Sequence, residues 1–356
     1  MSDLQISLLV IGALAVAGVY LFNSWQERQL RRRAEQAFAR DHADVLLRES
    51  GDVAGQEPVP AERVEPKLAT APAASTSARK AAEGVPDPLI DYVVEVHLGV
   101  PADGADLHEE LMALTAGWGK PVLVSGYGRG SDEWHKAGVG DSSAYLQLRF
   151  ALQLANRGGC VESAQLAAFR DAVVDWAEHR QGEVKCIDAA EAHTKAVQLD
   201  RFCADVDIAI GVNVVARETG AFSGTKIRAL AEAAGLRLEP DGVFYARGDH
   251  GDTRFTIDNH EPMPFVPEQM KTLSTKGITF LLDVPRVDAA VDAFDTMVQT
   301  AKSFTAALNG ILVDDNGNPL PDDAIETIRE RLKVILEKME AAQLAAGGAR
   351  ALRLFS

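Results

Sequence analysis

The chain has 356 residues and a formal net charge of −16, with a sequence pI near 5. That length gives room for two compact domains plus extra segments, and no basic stripe runs through it, which excludes a nucleic-acid binder of the usual electrostatic kind. Cys160, Cys186 and Cys203 stand without any CxxC pair, so they read as small buried hydrophobes in a reducing compartment and not as a disulfide framework.

Leu4 to Phe22 (LQISLLVIGALAVAGVYLF) is an unbroken apolar run without a charge. As a helix it would be roughly 28 Å long, enough for the hydrocarbon core of a bilayer. Only Met1, Ser2 and Asp3 precede it, which is not the basic n-region of a cleaved signal. Trp25 follows at the expected interface, then Arg28, Arg31, Arg32 and Arg33. Arginines on that flank keep it cytoplasmic. Residues 1–23 are therefore expected to be a single transmembrane anchor in contact with lipid through residues 4–22, with a short outer N-terminus and a cytoplasmic body. A buried core helix is the competing reading, but apolarity on every side is more than a globular helix needs.

Residues 24–86 begin with a charged juxtamembrane segment. They continue from residue 51 as an Ala/Pro-rich stretch without an aromatic residue. That composition predicts a disordered linker, with an r.m.s. reach of roughly 33 Å over residues 51–86.

Apolar periodicity returns from residue 88 onward, and an α+β domain is expected over 87–204. Strands are expected at 91–98, 121–125, 145–154 and 183–187. Helices are expected through Leu107, Leu111 and Leu114, through Leu166, Phe169, Val173 and Trp176, and through Leu199 and Phe202. A second α+β domain, 205–341, follows the same order. Strands are expected at 207–215, 243–246, 253–258, 277–284 and 311–313, with helices at 224–235, through Val291 to Leu308, and after a turn at 314–319. Asp322 or Asp323 is the expected cap of that last helix, and residues 342–356 form a C-terminal tail. The matching order is what an ancestral duplication gives, and also what two ordinary α+β domains give.

The motifs that carry chemistry elsewhere are weak here. YGRG at 127–130 and GDHG at 248–251 lack the spacing of a phosphate-binding loop and read as hairpin turns. Asp314–Asn318 (DDNGN) has its glycine too early for a calcium loop, and position twelve is Ile325. The histidines form no ligand cluster, and no serine sits in a GxSxG elbow. No catalytic group, metal or cofactor is expected.

A surface remains. In strand 207–215, Ile208, Ile210, Val212 and Val214 share one face, and Ala209, Gly211 and Asn213 the other. In 277–284, Thr279, Leu281 and Asp283 face away from Ile278, Phe280 and Leu282. If helices cover the apolar face, the opposite face is open, low at Ala209 and Gly211 and walled by Phe244 and Leu281. That shape suits a shallow peptide groove, and equally an ordinary half-solvated sheet.

GITFLLDVP at 277–285 and FDTMVQTAKSFTAALNGILVDDNGNPL at 294–320 resemble the FtsZ-binding domain of the ZipA family of bacterial cell-division proteins. The shared features are the apolar strand ending in Val-Pro, the Met-x-Gln-x-Ala helix and the Gly-x-x-x-Asp-Asp turn. VNV at 212–214, Ser223-Gly224, Ala234-Gly235, Tyr245 and Pro267 to Lys271 also fit. The resemblance covers 206–341. It implies a split β-α-β antiparallel sheet with helices on one face; the element order adds a second tandem copy at 87–204, where the family usually has only linker, and one N-terminal transmembrane helix is expected before both. It also implies that the other face binds the C-terminal tail of FtsZ, a tubulin-like GTPase. The family's groove falls on Ala209, Gly211, Phe244, Asp258, His260, Thr279 and Leu281, and alternation adds Asn213 and Asp283. Ala209, Gly211, Asp258 and His260 are small or polar where the family is bulky and apolar, and a basic groove-edge position falls on Gly317. Asp258 and Asp283 are then expected to meet a basic residue of the peptide. The implied protein is a non-enzymatic tether at the cytoplasmic face of the bacterial inner membrane, at the division site. The rival readings are a membrane-anchored sensor binding a metabolite between the tandem domains, and an enzyme, against which the missing acid–base cluster argues.

Overall fold

The computed structural model describes residues 85–128, 134–137 and 144–356. The expected anchor, with Trp25, Arg28, Arg31, Arg32 and Arg33, lies outside the described residues, as does the linker up to residue 84. Among the described residues no helix is long and apolar enough to cross a membrane.

The first lobe comprises β1 (Asp91–Asp103), α1 (Gly104–Thr115), β2 (Val122–Gly128), β3 (Trp134–Lys136), β4 (Ala144–Gln153), the small pair β5 (Ala155–Asn156) and β6 (Gly159–Cys160), α2 (Ser163–Glu178), β7 (Glu183–Cys186) and α3 (Ala189–Val206). Its antiparallel sheet has the order β3-β2-β4-β1-β7. Alternation puts Tyr92, Val94 and Val96 of β1 opposite Leu152, Phe150 and Leu148 of β4. All six are buried with Leu107 and Leu111 of α1 and Leu166, Phe169 and Val173 of α2. Burying each large side chain is worth about 1.5–3 kcal/mol, so the apolar stripes of the helices seal this face. The opposite face holds the Glu95–Arg149 ion pair, with the Arg149 guanidinium 3.9 Å from the Trp134 ring centre. β2 runs on through Tyr127 and Gly128, which the glycine pattern assigns to a turn.

The second lobe comprises β8 (Ala209–Ala216), β9 (Phe222–Ser223), α4 (Gly224–Ala233), β10 (Arg237–Leu238), β11 (Phe244–Arg247), β12 (Thr253–Asn259), β13 (Ser274–Thr275), β14 (Gly277–Asp283), a 3-10 turn (Val284–Arg286), α5 (Ala290–Leu308), β15 (Gly310–Val313), α6 (Asp322–Ala341) and α7 (Ala349–Leu354). Its sheet has the order β10-β11-β12-β14-β8-β15. The expected strand end at Val284 is instead the first residue of the 3-10 turn, where Pro285 removes a ladder donor. Asp322 and Asp323 do not cap α6. Pro321 is the N-cap residue, and the two acids lie in the first turn, where the helix dipole favours them.

The two sheets share a central order. In each, the strand before the long helix, the first strand and the strand after the long helix lie side by side. The outer hairpins dock differently. In the first lobe the earlier hairpin strand, β2, pairs with the centre; in the second lobe the later one, β12, does. The two sheets thus agree in the order of their central strands and differ in how the hairpin docks.

The tail beyond α6 is structured. Leu344, Ala351, Leu354 and Phe355 are buried in a third apolar cluster with Ile90, Cys203 and Val206 of the first lobe and Met339 of α6. Arg353 in α7 makes two hydrogen bonds to the Asp91 carboxylate, at 3.0 and 2.5 Å. Its backbone carbonyl accepts from Gln153 Nε2 at 3.0 Å. The backbone N–H of Gly347 donates to the Pro285 carbonyl at 3.0 Å. The last residues therefore join the two lobes.

Candidate peptide groove on the outer face of the second sheet

Ile210, Val212 and Val214 of β8, Ile278, Phe280 and Leu282 of β14, and Phe255 and Ile257 of β12 are buried on one face against α4, α5 and α6. Phe280 meets Phe304 of α5 edge to face, with ring centres 5.4 Å apart. Because successive strand residues point to opposite sides, the intervening residues form the other face. Leu281 pairs with Thr256 on one side and Gly211 on the other, and Thr279 pairs with Asp258 and Asn213. Leu281, in a central strand of the sheet, is 41% exposed. A cavity of about 680 Å³ opens over this face, lined by Tyr245, Thr256, Asp258, Thr279, Leu281 and Asp283 among others.

Two of the expected groove positions are covered by the chain itself. The turn Asp314–Asn318 folds back over Gly211 and Asn213. Asn213 Nδ2 donates to the Asp314 carbonyl at 3.2 Å and to Asp315 Oδ1 at 2.9 Å. A Cβ on Gly211 would stand 2.5 Å from Asp315 Oδ1, so a side chain there would displace the Asp315 carboxylate from Asn213. The turn is held internally by Asp314 Oδ1, which accepts from the Asn316 and Asn318 backbone N–H groups. Burial alone would raise the Asp314 pKa, but these hydrogen bonds outweigh it and hold the carboxyl below the ordinary range. Gly211→Val is expected to push the turn off β8 and to cost about 1–3 kcal/mol, read as a drop in melting temperature together with lost protection of the Asn316 and Asn318 amides in hydrogen exchange.

Behind this turn a short polar chain crosses the floor. Thr279 Oγ1 donates to Asn213 Oδ1 at 2.6 Å, and His260 Nδ1 lies 3.1 Å from the same hydroxyl. Since the threonine proton is spent on Asn213, His260 must donate from Nδ1. Thr279 and His260 therefore brace the floor, and Ala209 and Asp258 stay exposed at its margins.

Phe244 is not part of this face. It pairs with Ile257, shares its side of the sheet and is fully buried against Phe265, with ring centres 5.3 Å apart. The wall is its neighbour Tyr245, opposite Thr256. Tyr245 is fixed at both ends: its hydroxyl donates to Asp241 at 2.6 Å, and the Arg247 guanidinium sits 4.5 Å from its ring centre. The Asp241 carboxylate pushes the phenol pKa up to about 12.

Asp283 is not free for a ligand either. Arg157, between β5 and β6 in the first lobe, grips both Asp207 and Asp283. Its Nη1 lies 3.0 Å from Asp283 Oδ2, its Nη2 2.6 Å from Asp283 Oδ1, and its Nε 3.1 Å from Asp207 Oδ2. A forked guanidinium suits this double contact where a lysine would not. The first lobe reaches the rim of the face here and leaves Leu281 open.

Residues 208–331 match the family model described as "ZipA, C-terminal FtsZ-binding domain". A cell division protein ZipA from Marinobacter nauticus is 34% identical over 135 residues, 36% of this chain and 40% of that protein. Proteins of the same name from Ectopseudomonas mendocina and Pseudomonas putida are 28% identical over 160 residues and 29% over 131. Those alignments cover 44% and 36% of this chain, and 58% and 45% of the relatives. The chain thus spans about half the length of the curated relatives it matches. Residues 208–331, the part that builds the open sheet face, are thus similar to the C-terminal FtsZ-binding domain of the ZipA family.

Proposed function

We propose that this protein binds the C-terminal tail of FtsZ in the cavity over β12, β14 and β8, and that the apolar segment at residues 4–22 holds it at the cytoplasmic face of the inner membrane. It acts there as a non-enzymatic tether and scaffold for the division ring. The observation that carries the reading is Leu281, a leucine near the centre of the outer sheet face that stays 41% exposed among the described residues. A sealed opposite face means this side can accept a foreign segment without unfolding the core. The arginines at 28 and 31–33, after the apolar run, support a cytoplasmic body.

Leu281 and Tyr245 supply two apolar anchors, each worth about 1.5–3 kcal/mol, against the cost of ordering a peptide. About micromolar affinity follows. That suffices for a surface-confined protein facing a polymer, because many weak contacts act together. Titration of the full chain in nanodiscs with a labelled FtsZ tail peptide is expected to saturate with a Kd on the order of micromolar. Absence of binding at a hundredfold higher peptide concentration, with stabilisation by a small metabolite instead, would favour a sensor.

A further inference from the structure

The cavity does not end at Leu281. Beyond Asp283 it continues to Arg254, Arg286 and Leu352 of the C-terminal helix α7. Arg254 is there because β12 carries a bulge: Phe255 pairs with Ala246 and Thr253 with Arg247, which leaves Arg254 as the extra residue. A bulge re-aims a side chain. Arg254 has no ion pair among the described residues, and its Nε is buried without a hydrogen-bond partner. A buried donor left unmet is uncommon in a folded protein and calls for an acceptor. Arg286 is held only loosely, 3.9 Å from Asp283, whose carboxylate Arg157 already occupies.

The acids that line the same cavity are Asp252, Asp258 and Asp283. Asp283 is neutralised by Arg157, Asp252 lies beside the β11–β12 turn, and Asp258 is four residues from Arg254 along β12. The groove is therefore polarised, acidic at Asp258 and cationic at Arg254 and Arg286. The two ends are separated by roughly 13 Å of strand.

We propose that the end of the groove formed by Arg254, Arg286 and Leu352 is a subsite for a carboxylate of the bound peptide, and that its opposition to Asp258 sets the direction in which the peptide lies. This rests on the reading of the face as a peptide groove. An acidic group docks against the two guanidiniums with Leu352 as the apolar wall, and a basic residue of the same peptide docks at Asp258. Roughly 13 Å corresponds to about four residues of extended chain or nine of helix, so the peptide must carry its opposite charges at one of those spacings. The C-terminal helix becomes part of the binding site, which gives the clasp between the lobes a role in recognition.

The test is a set of titrations of the full chain with the FtsZ tail peptide. In one series each Asp or Glu of the peptide is replaced in turn by Asn or Gln. In another the terminal carboxylate is amidated, which separates a side-chain source from the chain end. One such peptide is expected to bind the wild-type chain roughly 5- to 10-fold more weakly. Arg254→Gln is expected to lose the same factor with the unmodified peptide and nothing further with the altered one. If every altered peptide binds the wild-type chain within twofold of the original, or if the two losses multiply, the subsite is wrong; the peptide series alone decides this even if the variant misfolds. That failure differs from failure of the groove itself, in which the wild-type chain binds no peptide or Leu281→Asp binds as the wild type does.

Discussion

Leu281→Asp is expected to abolish measurable binding of the FtsZ tail, a loss of at least about a hundredfold, while the protein stays folded. The substitution removes an apolar anchor worth about 1.5–3 kcal/mol and leaves a carboxylate to be desolvated under the peptide, which costs more than the lost contact. It also adds a charge beside Asp283, two residues along the same face, and diagonally across from Asp258. The fold tolerates it because Leu281 is 41% exposed and its cross-strand neighbours on this face are Thr256 and Gly211. Lower strand propensity is worth about 1 kcal/mol at most. Leu281→Asn separates the two causes, since it removes the anchor without the charge and should bind better than the Asp variant. Peptide titration beside a thermal melt reads both quantities. Wild-type affinity in the Asp variant would remove the groove from this face.

Arg353→Met should be the most damaging single change outside the two main cores, at roughly 3–5 kcal/mol of stability at neutral pH. Asp91 has a fully buried side chain, and Arg353 is its cationic partner. Burial raises the Asp91 pKa, and the hydrogen bonds and charge of Arg353 pull it back part of the way. Methionine keeps the apolar stem and removes that compensation, so an ionised carboxylate is left in a dry site. The pH dependence follows from the sign of the shift. A carboxyl whose pKa is raised by folding favours the fold when protonated, below its ordinary value, and that contribution is lost as pH rises through the folded pKa. Without Arg353 the folded pKa rises further, so the deficit against wild type should be largest at pH 7 and shrink as pH falls towards 4. Denaturation at the two pH values, with Asp91→Asn added in the Arg353→Met background, checks this. Equal deficits at both pH values, with no rescue by asparagine, would mean that Arg353 acts through packing alone.

The clasp also explains why the second lobe is not simply a sheet with helices. Its α7 lies beyond the matched segment 208–331, yet it packs on the 3-10 turn that ends β14 and supplies Leu352 to the cavity. The first lobe contributes Arg157 at the rim and Asp91 under α7. These contacts assign the first lobe a structural part in shaping the far end of the cavity.

Alternation along 277–284 and 207–215 was enough to place Leu281 and Thr279 on one face and Phe280 and Leu282 on the other, because the side-chain period of a strand is two. The helical stripe from Phe294 to Leu308 likewise announced the element that seals the inner face. Local pattern failed where a single residue of register decides the outcome. Phe244 and Tyr245 are adjacent and both aromatic, and only pairing with β12 shows which faces out; a slip of one flips the pair. Hairpin order failed for a related reason, since either strand of β11–β12 satisfies the same periodicity and only packing selects the one that meets β14. Nor does any pattern in DDNGN say that the turn lands on Gly211, or any in LRLF that Arg353 meets Asp91, far back along the chain. What the amino-acid order determined by itself was the longer strands and helices and their apolar faces, because those depend on near neighbours; the short strands β3, β5, β6, β9, β10 and β13 and the helix α7 were not among them. Which outward residues lie open, which are capped and which are claimed by the other lobe was decided only in three dimensions, because each depends on contacts between segments distant along the chain.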